Sequence, residues 1–291
     1  MKPAAFEYVA AHTIEDAIVA LMAGGGEAKI IAGGQSLVPM LNFRLLRPAI
    51  LVDIKRIPDL AYIEEDQSAI RIGALATHRQ LEISPVIARV LPVVSHAMTH
   101  VAHLAIRNRG TIGGSLSHAD PAAELPMLTV LLDAAFTIAS RAGRRTVKAR
   151  DFFLDALTVD LANDDVITEI ALPKLPADTG WGFEEVARRA GDFALAAVAA
   201  TVTRSRGTIA QARIAVTGMG STPVRAVAAE TLLAGRALDQ ALLDDVVAAV
   251  RDNVAPNSDL HASADYRRHL AGVLAARAVS AAWARARSAT P

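Results

Sequence analysis

Apolar and polar positions alternate along this chain in short blocks whose period changes at glycines and prolines. Residues 14–22 carry the helical period and follow Thr13, with Asp16 three residues on, a pattern that resembles a capping box. Gly24, Gly25 and Gly26 then stop that helix. Residues 29–32 read as a short strand, Gly33-Gly34 as a turn, 36 to about 43 as a helix and 50–54 as a β-type run, which makes a strand, glycine turn, helix, strand unit. Residues 61–73 predict paired strands, and 77–83 and 85 to about 104 predict helices. Segment 107–120, RNRGTIGGSLSHAD, has turn chemistry throughout, and Asp120-Pro121 supplies an N-cap and a first-turn proline for a helix starting there. Residues 134–140 and 144–149 read as a hairpin around Ala142-Gly143, and 166–172 as a further strand.

The pattern changes after 173–180, a stretch with two prolines, one glycine and little apolar content, which predicts a domain boundary. Strand-like runs at 181–187, 193–203 and 208–216 precede helical segments near 225–234, 239–252 and 263–287. Strands first and helices afterwards predict a small α+β domain. The sequence carries no internal repeat.

Composition narrows the function classes. Of 291 residues, 52% are hydrophobic and 21% charged, enough for a large core. Lys+Arg and Asp+Glu are both 30, so no net field recruits nucleic acid or an anionic membrane. The absence of cysteine removes thiolate catalysis, cysteine-ligated zinc, disulfides and any iron-sulfur cluster held in the usual way. Apolar stretches such as 193–202 fall short of the about 20 residues of a spanning helix, so no transmembrane segment is expected. Residues 1–13 include Glu7 and no long apolar core, which does not fit a signal peptide, and the cytoplasm is the expected compartment.

Two loops stand out. In Ala32-Gly33-Gly34-Gln35-Ser36 a glycine pair follows a strand and opens a helix, so backbone N–H groups can approach a phosphate favoured by the helix dipole. A plain tight β-to-α connection has the same local pattern. Asp53 lies where a ribose-binding acid would sit in a Rossmann unit, but the turn lacks the third glycine of G-x-G-x-x-G, and Asp53 reads as a strand-end residue. Thr111-Ile112-Gly113-Gly114-Ser115, followed by His118, Asp120 and Glu124, repeats the chemistry of the first loop, and the two together could grip the two phosphates of a dinucleotide. Valine at Gly33 or Gly114 is then expected to abolish binding and spare the fold.

His96, His100 and His103 share one face of the expected helix 85–104, where a metal, a cofactor-facing role and simple packing all remain open. Arg188-Arg189-Ala190-Gly191-Asp192-Phe193 could offer a stacking ring and phosphate-binding guanidinium groups, or just core packing. Tyr266-Arg267-Arg268-His269 gives the last helix a basic face, solvated or in contact with a partner. No Ser-His-Asp order or paired-carboxylate site stands out, so no catalytic residue is assigned.

The segments AGGQSL at 32–37, IGALATH at 72–78, RNRGTIGGSLSHADPAAE at 107–124, RRAGDFALAAVA at 188–199 and SDLHASADYRRHLAGVLAARA at 258–278 resemble the FAD-binding medium subunit of molybdenum hydroxylases, of the carbon monoxide dehydrogenase and xanthine dehydrogenase type. The segments occur in family order over nearly the whole chain. The resemblance implies an α+β fold with a two-lobed FAD domain of the vanillyl-alcohol oxidase type at 1–176, its lobes at about 1–56 and 57–176, and a smaller α+β domain at 177–291. It implies non-covalent FAD held by Ala32, Gly33, Gly34, Gln35 and Ser36 and by Thr111, Ile112, Gly113, Gly114 and Ser115. Val101, His103, Asp120, Glu124 and Phe193 are implied near the cofactor, and no residue as a metal ligand. Relatives often carry Asp at Glu124 and Tyr at Phe193, where Phe keeps the stacking surface and loses the hydroxyl. The implied role is the flavin stage of an electron-transfer assembly, an oxidoreductase built as a dimer of heterotrimers. Its small subunit would hold iron-sulfur clusters, its large one molybdopterin, and an external acceptor would take the electrons. A stand-alone FAD-dependent oxidoreductase and a flavin-free assembly subunit are the alternatives.

Overall fold

The first lobe begins with β1 (Glu7–Ala10) and α1 (Ile14–Ala23), and a computed structural model describes the chain over residues 2–286. Thr13 closes the capping box in full: its hydroxyl accepts from the Asp16 amide at 3.0 Å, and the Asp16 carboxylate accepts from the Thr13 amide at 3.1 Å. β2 (Ala28–Ile31), α2 (Leu37–Asn42) and β3 (Ile50–Asp53) complete a parallel three-stranded sheet in the order β1-β3-β2. Strand β1 was not expected, because four residues, of which only Val9 packs on the core, carry too little period to read. Its pairing with β3 defines it, aided by a 2.6 Å hydrogen bond from the Tyr8 hydroxyl to Asp53.

The second lobe starts with the hairpin β4 (Ile63–Glu65) and β5 (Ala69–Gly73). Helices α3 (His78–Ile83), α4 (Pro85–Val90), α5 (Pro92–Met98), α6 (Leu104–Arg107), α7 (Ile112–His118) and α8 (Glu124–Leu131) follow. Then come β6 (Ala135–Ser140), β7 (Gly143–Lys148), α9 (Ala149–Phe152), the small pair β8 (Phe153–Asp155) and β9 (Thr158–Val159), and β10 (Val166–Pro173). The five-stranded antiparallel sheet has the order β4-β5-β10-β6-β7, so the last strand lies in the middle.

Three expectations need correction here. The single helix over 85–104 is broken, because Pro92 has no amide to continue the ladder and Leu91 leaves the helical region at φ −133°, ψ 60°. The turn chemistry of 107–120 hides α7, which Thr111 caps by accepting from the Gly114 amide at 3.1 Å. The helix expected from Asp120 starts at Glu124 instead; the Asp120 carboxylate is spent on the Ala122 amide at 2.9 Å, closing an Asx turn.

The C-terminal sheet, β11 (Thr179–Ala187), β12 (Ala194–Ser205), β13 (Thr208–Thr217) and β14 (Val224–Arg225), is antiparallel in sequence order. It carries α10 (Val227–Leu233), α11 (Gln240–Asp252) and α12 (Ala264–Arg285); residue 287 of the expected last helix lies outside the described residues. The continuous apolar run of β12 is explained by burial on both faces. Ala197 and Ala199 join the core of the second lobe, while Val198, Ala200 and Val202 join the core under the three helices. Arg213 and Arg225 reach across to Asp133 at 2.9 and 3.2 Å, and Arg225 also meets the Val130 carbonyl at the end of α8. Among the described residues no helix is long and apolar enough to cross a membrane.

Helix α12 sits directly on β11 because β11 offers glycine there. A Cβ on Gly180 would lie 2.0 Å from the Ala282 carbonyl, and one on Gly182 would lie 2.0 Å from that of Ala278. The second glycine loop is fixed in turn by α3: the His78 amide donates to Gly110 at 2.9 Å and its Nε2 to the Thr111 carbonyl at 3.2 Å. Burial pushes the His78 imidazole down to about 4, and its Nδ1 is buried without a partner.

Two predictions follow from this packing. Gly182→Val should lower the unfolding free energy by about 3 kcal/mol or more, since backbone cannot yield to the new branch, whereas Gly220→Ala, with open space around it, should match the wild type in urea titration. For His78 the unfolded state binds a proton at about 6.5 and the folded state only near 4, so this residue's stability contribution is lost as pH falls through that window. The loss should be on the order of 3 kcal/mol by pH 4, and His78→Gln should remove it; identical acid limbs in the two proteins would contradict the assignment.

Candidate functional site

The first glycine loop leaves β2 and enters α2 in a conformation that only glycine adopts without strain, with Gly34 at φ +72°. Among the described residues, the amides of Gly33, Gly34, Gln35 and Ser36 find no acceptor within the chain, while the Gln35 side chain donates to the Gly33 carbonyl at 3.0 Å. A cavity of about 340 Å³ opens on the first three of these residues, lined by Gly33, Gly34, Gln35, Val38, Lys55 and Arg109. The Lys55 ammonium is paired with the buried Asp53 carboxylate at 3.0 Å, which also accepts from Tyr8. Asp53 is thus a strand-end residue with its oxygens engaged. Arg109 is exposed and has no carboxylate partner among the described residues, which makes it the uncompensated cation of the cavity.

Gly33 is required for a further reason. A Cβ there would lie 2.1 Å from the Arg109 carbonyl, so the backbone of the first loop rests on the segment that leads into the second. Valine at this position would part the two loops, and the expectation that it spares the fold is corrected. The loops also differ in what they offer. In the second, the Ile112 and Gly113 amides donate to the Ala76 and Ala74 carbonyls at 2.9 Å, Gly114 to the Thr111 hydroxyl at 3.1 Å and Ser115 to the Thr111 carbonyl at 3.0 Å. All four are spent. What remains for a ligand is the hydroxyl hydrogen of Thr111, the partly exposed Ser115 and the start of α7.

The other sequence-selected residues fall into two groups. Gly191, at φ +83°, packs on His103, since a Cβ there would lie 2.9 Å from the imidazole, and this brings the turn before the exposed Phe193 to the stretch 101–103. Val101 itself turns into the core, and its carbonyl accepts from Arg107 at 2.9 Å. Asp120 and Glu124 lie in and after the turn following α7, with Glu124 buried and pushed up to about 8 by burial, then by Glu185 and Asp120. Lys55, Arg109 and Glu185 were not singled out from the sequence. Glu185 alone had a usable signal, as a carboxylate on the inward phase of a strand alternation that includes the buried Phe183.

The three histidines do not form a centre. His96 and His100 stack edge to face at 5.4 Å against Trp181 and Phe183, while His103 lies apart at the start of α6. Among the described residues no group of three or more histidines, aspartates or glutamates could hold a metal ion. The basic face expected on the last helix is also interrupted, because Arg267 is buried and donates to the Leu195 carbonyl and Asp259, both at 2.7 Å.

Two family models match the chain: the FAD binding domain in molybdopterin dehydrogenase over residues 4–175, and the CO dehydrogenase flavoprotein C-terminal domain over residues 181–282. The alpha subunit of the 6-hydroxypseudooxynicotine dehydrogenase complex of Paenarthrobacter nicotinovorans is 42% identical over 288 residues, 99% of this chain and 97% of that protein. The carbon monoxide dehydrogenase medium chain of Hydrogenophaga pseudoflava is 37% identical over 285 residues, 98% of this chain and 99% of that one. In solved structures, the carbon monoxide dehydrogenase of Hydrogenophaga pseudoflava which lacks the Mo-pyranopterin moiety aligns at TM-score 0.97 with 39% identity, covering 99% of this chain and all 100% of the matched one. Quinoline 2-oxidoreductase from Pseudomonas putida 86 aligns at 0.93 with 38% identity, over 98% and 99% of the two chains. With the glycine-loop cavity, the two-lobed domain and the C-terminal sheet in place, the chain belongs to the FAD-binding medium subunits of the molybdenum hydroxylase family of oxidoreductases.

Proposed function

We propose that this chain is the flavin stage of a multi-subunit molybdenum hydroxylase, taking electrons from iron-sulfur clusters on a small partner and passing them to an external acceptor. The observation that carries this reading is the cavity at the first glycine loop, where the unspent amides of Gly33, Gly34 and Gln35 and the uncompensated Arg109 meet. That donor set suits a diphosphate, which accepts hydrogen bonds and carries negative charge. Ala32 to Ser36 with Arg109 would hold it from one side, and Thr111 and Ser115 would complete the cradle with hydroxyls, with Ile112, Gly113 and Gly114 shaping the turn. Phe193 and His103 would border the flavin ring, the backbone at Val101 would form the floor, and Asp120 and Glu124 would line the far end.

Bound there, FAD supplies redox chemistry that can be entered one electron at a time and left two at a time. The chain's own part is to position it and exclude alternatives, without a covalent anchor. The missing redox stages belong on other chains, because no cysteine is present to hold a cluster. The names of the relatives, medium chain and complex subunit, support a multi-subunit assembly; its other members in this reading are a small iron-sulfur and a large molybdopterin subunit, paired as a dimer of heterotrimers. Residues 1–176 are read as the flavin-binding unit, with lobes at about 1–56 and 57–176, and 177–291 as the C-terminal unit. The change of sheet between β10 and β11 supports that division.

Arg109→Glu tests the cavity without disturbing packing, because the side chain is exposed. FAD affinity, followed by flavin fluorescence on the FAD-depleted chain, should fall about 10- to 100-fold, the range for losing a charge-assisted hydrogen bond, with circular dichroism unchanged. Wild-type affinity in this variant would sink the diphosphate assignment. In the purified complex, the visible spectrum and metal content should show flavin, iron and molybdenum together. The chain alone should oxidise no organic substrate, and the complex lacking its flavin should reduce its clusters but turn over poorly with the acceptor. Flavin reduction by substrate in the isolated chain at the rate of the complex would replace this reading with a stand-alone oxidase.

A further inference from the structure

Two carboxylates are buried together where the C-terminal sheet meets α8. Glu185 on β11 is the register partner of Ala197 on β12, and Ala197 is the partner of Thr217 on β13, so the three side chains stand in a row on one face. The Thr217 hydroxyl donates to the Pro121 carbonyl at 2.7 Å and lies 3.2 Å from that of Ala123, which sets the first residue of α8, Glu124, above this row. The Glu185 side chain is only 4% exposed; its Oε2 is buried with no hydrogen-bond partner, and its Oε1 lies 3.9 Å from His100 Nδ1, beyond hydrogen-bond reach.

Several charged or titratable groups surround the pair. Glu124 comes from α8, Asp120 from the turn before it, His96 and His100 from α5 and the turn after it, and Glu184 from β11 itself. Strands β12 and β13 contribute Ala197 and Thr217, which carry no charge, and Arg285 of α12 acts on His96. Burial lowers the proton affinity of both histidines, so they are poor counter-cations. Among the described residues no lysine or arginine lies within salt-bridge distance of either carboxylate. Two buried anions without a cation are costly, and the cheapest remedy is to keep one of the two protonated.

We propose that Glu185 is a positioning residue for the flavin site: by burying a second carboxylate beside Glu124 it makes the pair keep one proton, and so presents Glu124 to the cofactor as an uncharged hydrogen-bond donor. This rests on the flavin reading above. An anionic Glu124 would repel a ligand that carries a diphosphate, whereas a carboxylic acid donates to its oxygens or carbonyls. Burial lifts Glu124 to about 8 and Glu185 to about 7, in the direction this requires.

The test is FAD affinity of the full, FAD-depleted chain by fluorescence titration between pH 6 and 9.5, with circular dichroism at each pH. Wild-type affinity should hold to about neutrality and fall at least tenfold as Glu124 ionises near pH 8. Glu185→Gln removes the like charge, so Glu124 gives up its proton more easily and the fall should move to lower pH. Glu124→Gln, which stays neutral, should bind with no alkaline fall. A purely structural Glu185 would lower affinity equally at all pH values or not at all. Tight, pH-independent binding by the wild type, or an unmoved limb in Glu185→Gln, would overturn the proposal alone; no FAD binding at any pH would overturn the flavin reading and this proposal with it.

Discussion

The backbone of Gly33 pressed against the Arg109 carbonyl is the contact on which the site depends. It leaves no room for a side chain, so the two lobes meet main chain to main chain and their relative position is set within the tolerance of a peptide group. One glycine loop is thereby held against the segment that feeds the other. The loops are not equivalent halves of a clamp. The first keeps its amides unspent, and the second uses two of its own to bolt α7 onto the Ala74–Ala76 segment that follows β5. A similar motif therefore does two jobs, one offering donors and one building the wall that aims them.

The C-terminal domain is held by the same economy of small residues. β12 presents alanines to the core of the second lobe and to α12, and β11 presents glycines to the helix backbone. Small side chains let layers approach closely, and the apolar area they bury individually is small, so the interface gains from its extent. Arg213 and Arg225 add directional contacts at the end of α8, where carbonyls would otherwise face the sheet unpaired. Glu124 begins that helix, so a residue proposed to line the cofactor site and the carbonyls that the two arginines hold lie on one element.

Much of this was legible in the sequence where local chemistry decides the outcome. The capping box at Thr13, the hairpin around Gly143, the three long C-terminal strands and both glycine loops are written in residue type and spacing. What was not legible depends on distant partners. β1 exists because β3 pairs with it, and α7 persists through a glycine pair because Thr111 caps it and Ala74 fills the space beside Gly113. The helix over 85–104 was overread because its apolar period continues across Pro92, although the backbone does not. Arg109 is an ordinary arginine in sequence, and only its lack of a carboxylate neighbour among the described residues sets it apart.

The position of β10 has a consequence for synthesis. It is the central strand of its sheet, pairing on one side with β5 and on the other with β6, yet it is the last of the five to be made. While a ribosome is still short of residue 173, the β4-β5 and β6-β7 hairpins have no common neighbour and each exposes a bare edge. The lobe must close by inserting a strand between two preformed pairs, a non-local step of the kind that folds slowly and leaves edges open to misassociation. A nascent chain of this protein is therefore most vulnerable just before β10 emerges, and chaperone demand during translation should concentrate there.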